Sequence, residues 1–257
     1  DKIILISGGH DTKGNEQAPL DLVSLRTSFK KLKTAVKSIA ISGFFSVRNP
    51  SHEIAVKEEI LSLCPGMPVT CGHELSSDLD AILRAATVSL NAGLIPIVMD
   101  LLGSVERVLK DRGIDVPLSV VRGDGSLVSS EWAKAHPIET IVSGPAASAI
   151  GAACLGKAQG IERGSWVVDI GGTTTDIIYL DKNGDPAVSA HGASVGSHKT
   201  LIKAIDIFTV GLGGDSRVRY DNKEDLFEIG PDRVKPLCCA VSEDPALKGC
   251  LKRQKKP

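Results

Sequence analysis

The chain has 257 residues, with 31 acidic against 30 basic side chains and a formal net charge of -1. Aromatic residues make up only 4%, too few for the stacking platforms that single-stranded nucleic acid needs, and the balanced charge gives no support to a general polyanion binder. Apolar residues at 42% and charged residues at 24% are ordinary for a globular protein with one large core or two modest ones.

Six cysteines are scattered at 64, 71, 154, 238, 239 and 250. In a chain this long they make no disulfide framework, so a reducing, cytoplasmic setting is expected. Cys64 and Cys71 lie near His73, but no CxxC partner completes a structural metal site. No signal peptide is read in the opening residues, and the start at Asp1 directly on an apolar run leads to the expectation of a piece of a longer polypeptide. The longest uncharged stretch, Ala85 to Met99, is too short to span a bilayer and holds Asn91 and Pro96. It reads as a buried central helix, with no membrane partner expected.

Taken in order, Lys2 to Ser7 predicts a strand and Pro19 to Ser38 a helix that Pro19 can open. "IAIS" at 39–42 is a second strand. "NPSHEIAVKEEILSL" is a helix introduced by Pro50 and Ser51. "PVTC" at 68–71 is a third strand. A long helix follows from about Asp78 to Arg112, capped by Ser76 or Ser77. "PLSVV" at 117–121 is a fourth strand, closed by the turn "GDGS". Strands alternating with helices predict an α/β layer with a mainly parallel sheet.

The character changes near Thr140, which divides an α/β lobe at 1–141 from a second lobe at 142–257. Ser143 to Gly156 is a helix of small residues. Trp166–Ile170, Thr175–Asp181 and Pro186–Ala190 predict three successive antiparallel strands, with a hairpin turn at Asn183-Gly184. A helical stretch near 197–204, a strand "DIFTV" at 206–210 and a glycine turn "GLGG" at 211–214 complete the pattern.

Between the first two strands of that meander lies "DIGGTTTD". Gly171 and Gly172 carry no Cβ, so backbone N–H groups there can approach a ligand closely and form a concave anion site. Thr173, Thr174 and Thr175 add hydroxyl donors suited to phosphate oxygens. Asp169 and Asp176 would repel a bare polyphosphate, but they suit a Mg²⁺ ion held between acids and phosphate. Either could instead orient a water for attack on a γ-phosphate, a catalytic role. The competing reading is a tight hairpin whose threonines cap the turn and whose acids face water. No P-loop and no G-x-G-x-x-G after a strand occurs.

"VVDIGGTTTDI" resembles the phosphate hairpin of the actin, Hsp70 and sugar-kinase superfamily. "SGPAASAIGA" at 143–152, "GFFSVRNPSHE" at 43–53, "PVTCGHELS" at 68–76 and "IDIFTVGLGGDS" at 205–216 narrow that resemblance to the hydantoinase A and 5-oxoprolinase family, over nearly the whole chain. The resemblance implies a partial actin-like (ribonuclease H-like) ATPase fold. That fold would have mixed sheets, flanking helices and a β-meander carrying the phosphate hairpin. It implies ATP and Mg²⁺ as cofactors, ATP-driven opening of a cyclic amide such as a hydantoin or 5-oxoproline, and a possible hydantoinase B-like partner subunit. Related members serve as carboxylase subunits. Carried over, Asp169 to Asp176 would hold phosphates and metal. Ser143 and Gly144 would lie near the nucleotide, and Gly211, Gly213 and Gly214 would form a second turn against it. Two departures stand out. The family's N-terminal phosphate hairpin is not in this chain, and Asp215 replaces a third consecutive glycine.

Other polar groups have plainer readings. His10 with Asp11, and His73 with Glu74, could do acid–base work or simply serve turns and helix starts. Arg48 and Asn49 could bind an anion or satisfy their own turn. No G-x-S-x-G nucleophile occurs. Besides amide opening, a nucleotide-driven switch or assembly module and a small-molecule kinase stay open.

Overall fold

The computed structural model describes residues 3–32, 35–161, 164–189, 192–196 and 198–253. The chain divides into two compact units, Asp1–Gly151 with Ala187–Ile205, and Ala152–Pro186 with Asp206–Pro257.

In the first unit, residues 3–7 form no strand, and Ile3 and Leu5 are exposed. No ladder partner satisfies that backbone among the described residues, which is what a strand requires. Helix α1 runs Leu22–Leu32. It starts later than Pro19 because Asp21 caps it, its carboxylate accepting from the Ser24 N–H at 3.0 Å and the Ser24 hydroxyl at 2.6 Å. Strand β1 (Ile39–Ile41), helix α2 (Ser51–Leu63) and strand β2 (Val69–Cys71) follow as expected. β1 and β2 pair in parallel, Ile39 opposite Val69. Leu25 and Phe29 of α1 and Val56 and Ile60 of α2 form a buried cluster, joined by Leu20, Ile39, Ile41, Met67 and Val69. Each such side chain contributes about 1.5–3 kcal/mol by leaving water.

A single turn, α3 (Gly72–Leu75), leads to the long α4 (Ala81–Asp111). The cap of α4 is Asp80, whose side chain accepts the Leu83 N–H at 2.9 Å, and not Ser76 or Ser77. By length and composition α4 could cross a membrane. Its buried stripe, however, carries polar groups bonded to neighbouring elements, as in a core helix. Asn91 donates to Thr70 Oγ1 and Ala135 O at 3.0 Å each and accepts the Ile138 N–H at 3.1 Å. Arg84, fully buried, donates to the carbonyls of Asp78 and Gly43.

Strands β3 (Ser119–Val121) and β4 (Leu127–Ser129) make an antiparallel hairpin, followed by α5 (Ser130–Ala135) and a 3-10 turn at Pro137–Thr140. The mainly parallel sheet expected from strand–helix alternation is therefore reduced to β1 and β2. The "GDGS" turn returns the chain at once, and parallel pairing needs a crossover of a dozen residues or more.

Helix α6 (Ser143–Ala158) gives its first part to one unit and its last part to the other. In the second unit, β5 (Ser165–Ile170) and β6 (Thr175–Leu180) form the expected hairpin. The strand expected at 186–190 does not follow them. Pro186 and Val188 make only single bridges, to Leu180 and Ile205, and Ala190 lies outside the described residues. The Asp181 carboxylate gathers the N–H groups of Asn183 and Asp185, closing the turn on itself, and Pro186 has no N–H to extend a ladder.

The helix expected near 197–204 is also absent, residue 197 lying outside the described residues. β7 (Ser194–Val195) pairs instead with β8 (His198–Lys199), helped by Gly196 at φ +59°. β9 (Ile207–Val210) supplies the third strand, in the order β5-β6-β9, all antiparallel. The hairpin of β10 (Ser216–Asp221) and β11 (Leu226–Arg233) and the helices α7 (Leu237–Glu243) and α8 (Leu247–Arg253) end the chain.

Candidate functional site

Registration of β5 on β6 places Asp169 directly opposite Asp176, and β9 places Thr209 opposite Asp176. Side chains alternate across a sheet, so this row shares its face with Val167, Ile178 and Ile207, at the loop end of the strands. Two like charges facing each other across strands oppose folding unless something offsets them. Part of the relief comes from Thr209, whose hydroxyl donates to Asp176 Oδ1 at 2.6 Å.

The connecting turn is closed by the Gly171 N–H donating to Thr174 O at 2.9 Å. Its outward carbonyls are taken by the second glycine turn. Gly214 N–H donates to Gly171 O and Asp215 N–H to Gly172 O, both at 2.8 Å. The Thr175 hydroxyl donates to Leu212 O at 2.7 Å. The approach is so close that a Cβ on Gly213 would lie 2.6 Å from both Gly171 O and Gly172 O. Only glycine fits there.

The two glycine turns are thus one built unit, and it is one-sided. Among the described residues, the N–H groups of Gly172, Thr173 and Thr174 donate to no backbone carbonyl. Gly171, Gly172 and Thr173 are exposed. A row of open N–H groups on a turn, with hydroxyls beside it, is an anion cradle.

The expected residues are distributed as follows. Asp169, Gly171, Gly172, Thr173, Thr174, Thr175, Asp176, Gly211, Gly213 and Gly214 all belong to the second unit, whereas Ser143 and Gly144 open α6 in the first. Thr175 gives its hydroxyl proton to Leu212 and so braces the turn. Sequence reasoning missed two groups, Thr209 and Arg233, whose guanidinium reaches Thr173 Oγ1 at 3.3 Å. Strand alternation in "DIFTV" could have flagged Thr209. Nothing local marks Arg233. Asp215 sets its carboxylate where a Cβ on Gly172 would meet it at 3.1 Å, which adds a third acid to the turn.

In the first unit the other candidates are engaged with one another. Asp11 accepts from the Lys13 and Asn15 N–H groups and from Asn15 Nδ2, and these bonds hold its carboxyl below the ordinary range. His10 is buried, with Nε2 3.2 Å from Ser51 Oγ. His52 accepts the Gly9 N–H and contacts Glu16 at 2.9 Å. Asn49 donates to Gly14 O and accepts the Ser51 N–H, so it satisfies its own turn. A cavity of about 340 Å³ is lined by Lys57, Thr70, Glu74, Trp132 and His136. Burial raises the carboxyl of Glu74, but hydrogen bonds from Lys57 and the Cys71 N–H, with the charges of Lys57 and His73, bring it below the usual value.

A family model described as hydantoinase/oxoprolinase matches residues 84–241, and one for the hydantoinase/oxoprolinase N-terminal region matches residues 1–64. The caprolactamase subunit alpha of Pseudomonas jessenii is 27% identical over 227 residues, 88% of this chain and 32% of that protein. The 5-oxoprolinase of Saccharomyces cerevisiae is 30% identical over 217 residues, 82% of this chain and 16% of that protein. The acetone carboxylase beta subunit of Xanthobacter autotrophicus is 26% identical over 227 residues, 86% and 31% of the two chains.

Among solved structures, the ATP-dependent caprolactamase from Pseudomonas jessenii superposes with a TM-score of 0.76 at 25% identity, over 92% of this chain and 34% of that one. Nucleotide-free acetone carboxylase gives 0.68 at 24%, over 89% and 32%. The chain spans about a third or less of the length of these relatives. The mixed α/β, actin-like fold expected from the hairpin and its flanking motifs stands.

Proposed function

The chain belongs to the hydantoinase/oxoprolinase family, and we propose that it is the part of an ATP-dependent cyclic amide hydrolase whose hairpin grips the nucleotide phosphates. One observation carries this reading. Three open N–H groups at Gly172–Thr174 stand at the end of a facing pair of carboxylates, on a turn whose carbonyl side is already bonded. The N–H groups and the Thr173 hydroxyl would hold phosphate oxygens, and Asp169 and Asp176 would hold Mg²⁺ through water. Mg·ATP supplies a phosphoryl group able to activate an amide oxygen. The chain's own part is to orient the phosphates and offset the two acids. Names of relatives support the substrate class, since caprolactamase and 5-oxoprolinase both describe cyclic amides. A second polypeptide of the hydantoinase B type as partner, and a cytoplasmic location, belong to the same proposal.

The test uses the complete polypeptide. Calorimetry should show Mg·ATP binding that Asp176→Asn weakens, and hydantoin, 5-oxoproline or caprolactam should raise ATP turnover. Binding unchanged by the substitution would remove the hairpin assignment. Similarity to a carboxylase beta subunit favours a second reading, in which turnover rises only with a ketone and bicarbonate.

A further inference from the structure

Glu53 lies in the first turn of α2 and is 2% exposed. A buried carboxylate needs several hydrogen bonds, and Glu53 accepts three. Its Oε1 accepts the Gly43 N–H at 2.8 Å. Its Oε2 accepts the His73 N–H at 3.0 Å and faces His73 Nδ1 at 2.5 Å. Gly43 follows β1, and His73 follows β2. The carboxylate therefore sits at the carboxyl ends of both parallel strands, the edge where open α/β sheets place ligands. Backbone bonds alone would explain a structural glutamate. The imidazole contact adds something different. A carboxylate oxygen only accepts, so the Nδ1 proton lies between the two groups, and a ring without its second proton carries its lone pair on Nε2. His73 is 20% exposed, and its ring makes no other hydrogen bond to a side chain among the described residues.

We propose that His73 is an acid–base residue of the ring-opening reaction and that Glu53 is its positioning residue. This rests on the cyclic amide reading above. Nε2 would take a proton from water as the water oxygen bonds to the activated amide carbon and the π pair of that carbon moves onto the amide nitrogen. That proton then passes to the amide nitrogen as the C–N bond breaks with its pair staying on nitrogen, and a lone pair of the added oxygen re-forms the C=O bond.

Every charged or titratable neighbour of the pair bears on it. Arg84 of α4 lies beneath, its Nη2 on Gly43 O at 2.9 Å, and a Cβ on Gly72 would touch both Arg84 Cγ and Glu53 Oε1. Lys57 and Glu74 pair at 2.6 Å beside it. The Cys71 thiol donates to Glu53 O at 3.6 Å and, pushed up to about 12 by burial, stays protonated.

The test is made in the complete polypeptide with its partner subunit. His73→Gln should lower amide-dependent turnover by about 10²–10⁴-fold while leaving Mg·ATP affinity unchanged. Glu53→Gln should shift the acidic limb of the pH–rate profile. In case Glu53→Gln does not fold, ¹⁵N spectra of the unaltered chain read the tautomer directly, and Nδ1–H with unprotonated Nε2 is expected. A ring protonated at Nε2 near neutral pH, or full turnover by His73→Gln, overturns the proposal. Failure of the unaltered protein to open any of the three amides removes the parent reading and this one with it, a result distinct from the other two.

Discussion

The buried polar groups of the first unit and the hairpin of the second handle hydrogen bonding in opposite ways. Around α4, side-chain donors and acceptors meet each other, the Nε of buried Arg84 excepted. Asn91 makes three bonds across three elements, and Asp11, His52 and Asn49 have partners within their own neighbourhood. At the hairpin the carbonyls of Gly171 and Gly172 are bonded, while among the described residues the N–H groups of Gly172, Thr173 and Thr174 donate to no backbone carbonyl. Satisfaction of polar groups is the general condition of a folded interior. A row of donors left unpaired at an exposed turn, beside two facing acids, is therefore the feature that points to a ligand. Within the first unit Glu53 is set apart as a buried carboxylate that faces an imidazole nitrogen, His73 Nδ1, at 2.5 Å.

The sharpest way to break this contrast is at Gly213. A side chain there would press on two carbonyl oxygens at 2.6 Å. Gly213→Val should reduce Mg·ATP affinity more than 100-fold and destabilise the second unit by about 1–3 kcal/mol through overpacking. Calorimetry and thermal unfolding check both, and an unaltered nucleotide affinity would separate the two glycine turns as functional parts.

Asn91→Ala should do the reverse. It strands partners in β2, α5 and the 3-10 turn and should cost about 1–3 kcal/mol or more in denaturant unfolding, with nucleotide binding unchanged. A weakened nucleotide affinity would show that the network is more than scaffold.

Asp176→Asn is the finer probe. It removes one of two facing like charges, so the unfolding midpoint should stay level or rise slightly, while Mg·ATP affinity falls about tenfold or more. A loss of stability instead would make the acids structural.

The smallest effect concerns Cys71. Burial first, then the charges of Glu74 and Glu53, raise its thiol to about 12, with Lys57 opposing. A folded pKa above the unfolded value of 9.0 favours the protonated thiol. That contribution is complete below pH 9 and is lost as pH rises from 9 toward 12. At pH 8, iodoacetamide should label the exposed Cys154, Cys238, Cys239 and Cys250 well before Cys71. Equal labelling would mean that the β2 end is open to solvent.

Much of this was legible in the chain. The hairpin showed itself because alternating apolar residues on both sides of Gly171-Gly172 specify two strands and a turn without reference to anything distant. α2 and α4 were similarly local, although the cap of α4 fell on Asp80. Third-strand pairing was not legible. Pro186–Ala190 had the composition of a strand, and β9 took that place because Asp181 closed the intervening turn. The stretch near 197–204 read as helical, but its His198–Lys199 pairs with Ser194–Val195, with Gly196 in the left-handed region. Arg233 and Glu53 reach their partners over sequence separations of 60 and 20 residues, and no short-range pattern encodes that.

By itself, then, the order of residues determined the local conformations: period-2 strands, capped helices, and glycines where bulk is forbidden. Folding in three dimensions decided which turn docks on which, which face of the donor row stays open, and which carboxylate meets which imidazole. The physical reason is that φ and ψ preferences act over a few residues, whereas burial and hydrogen-bond pairing are settled between segments that only packing brings within 3 Å of each other.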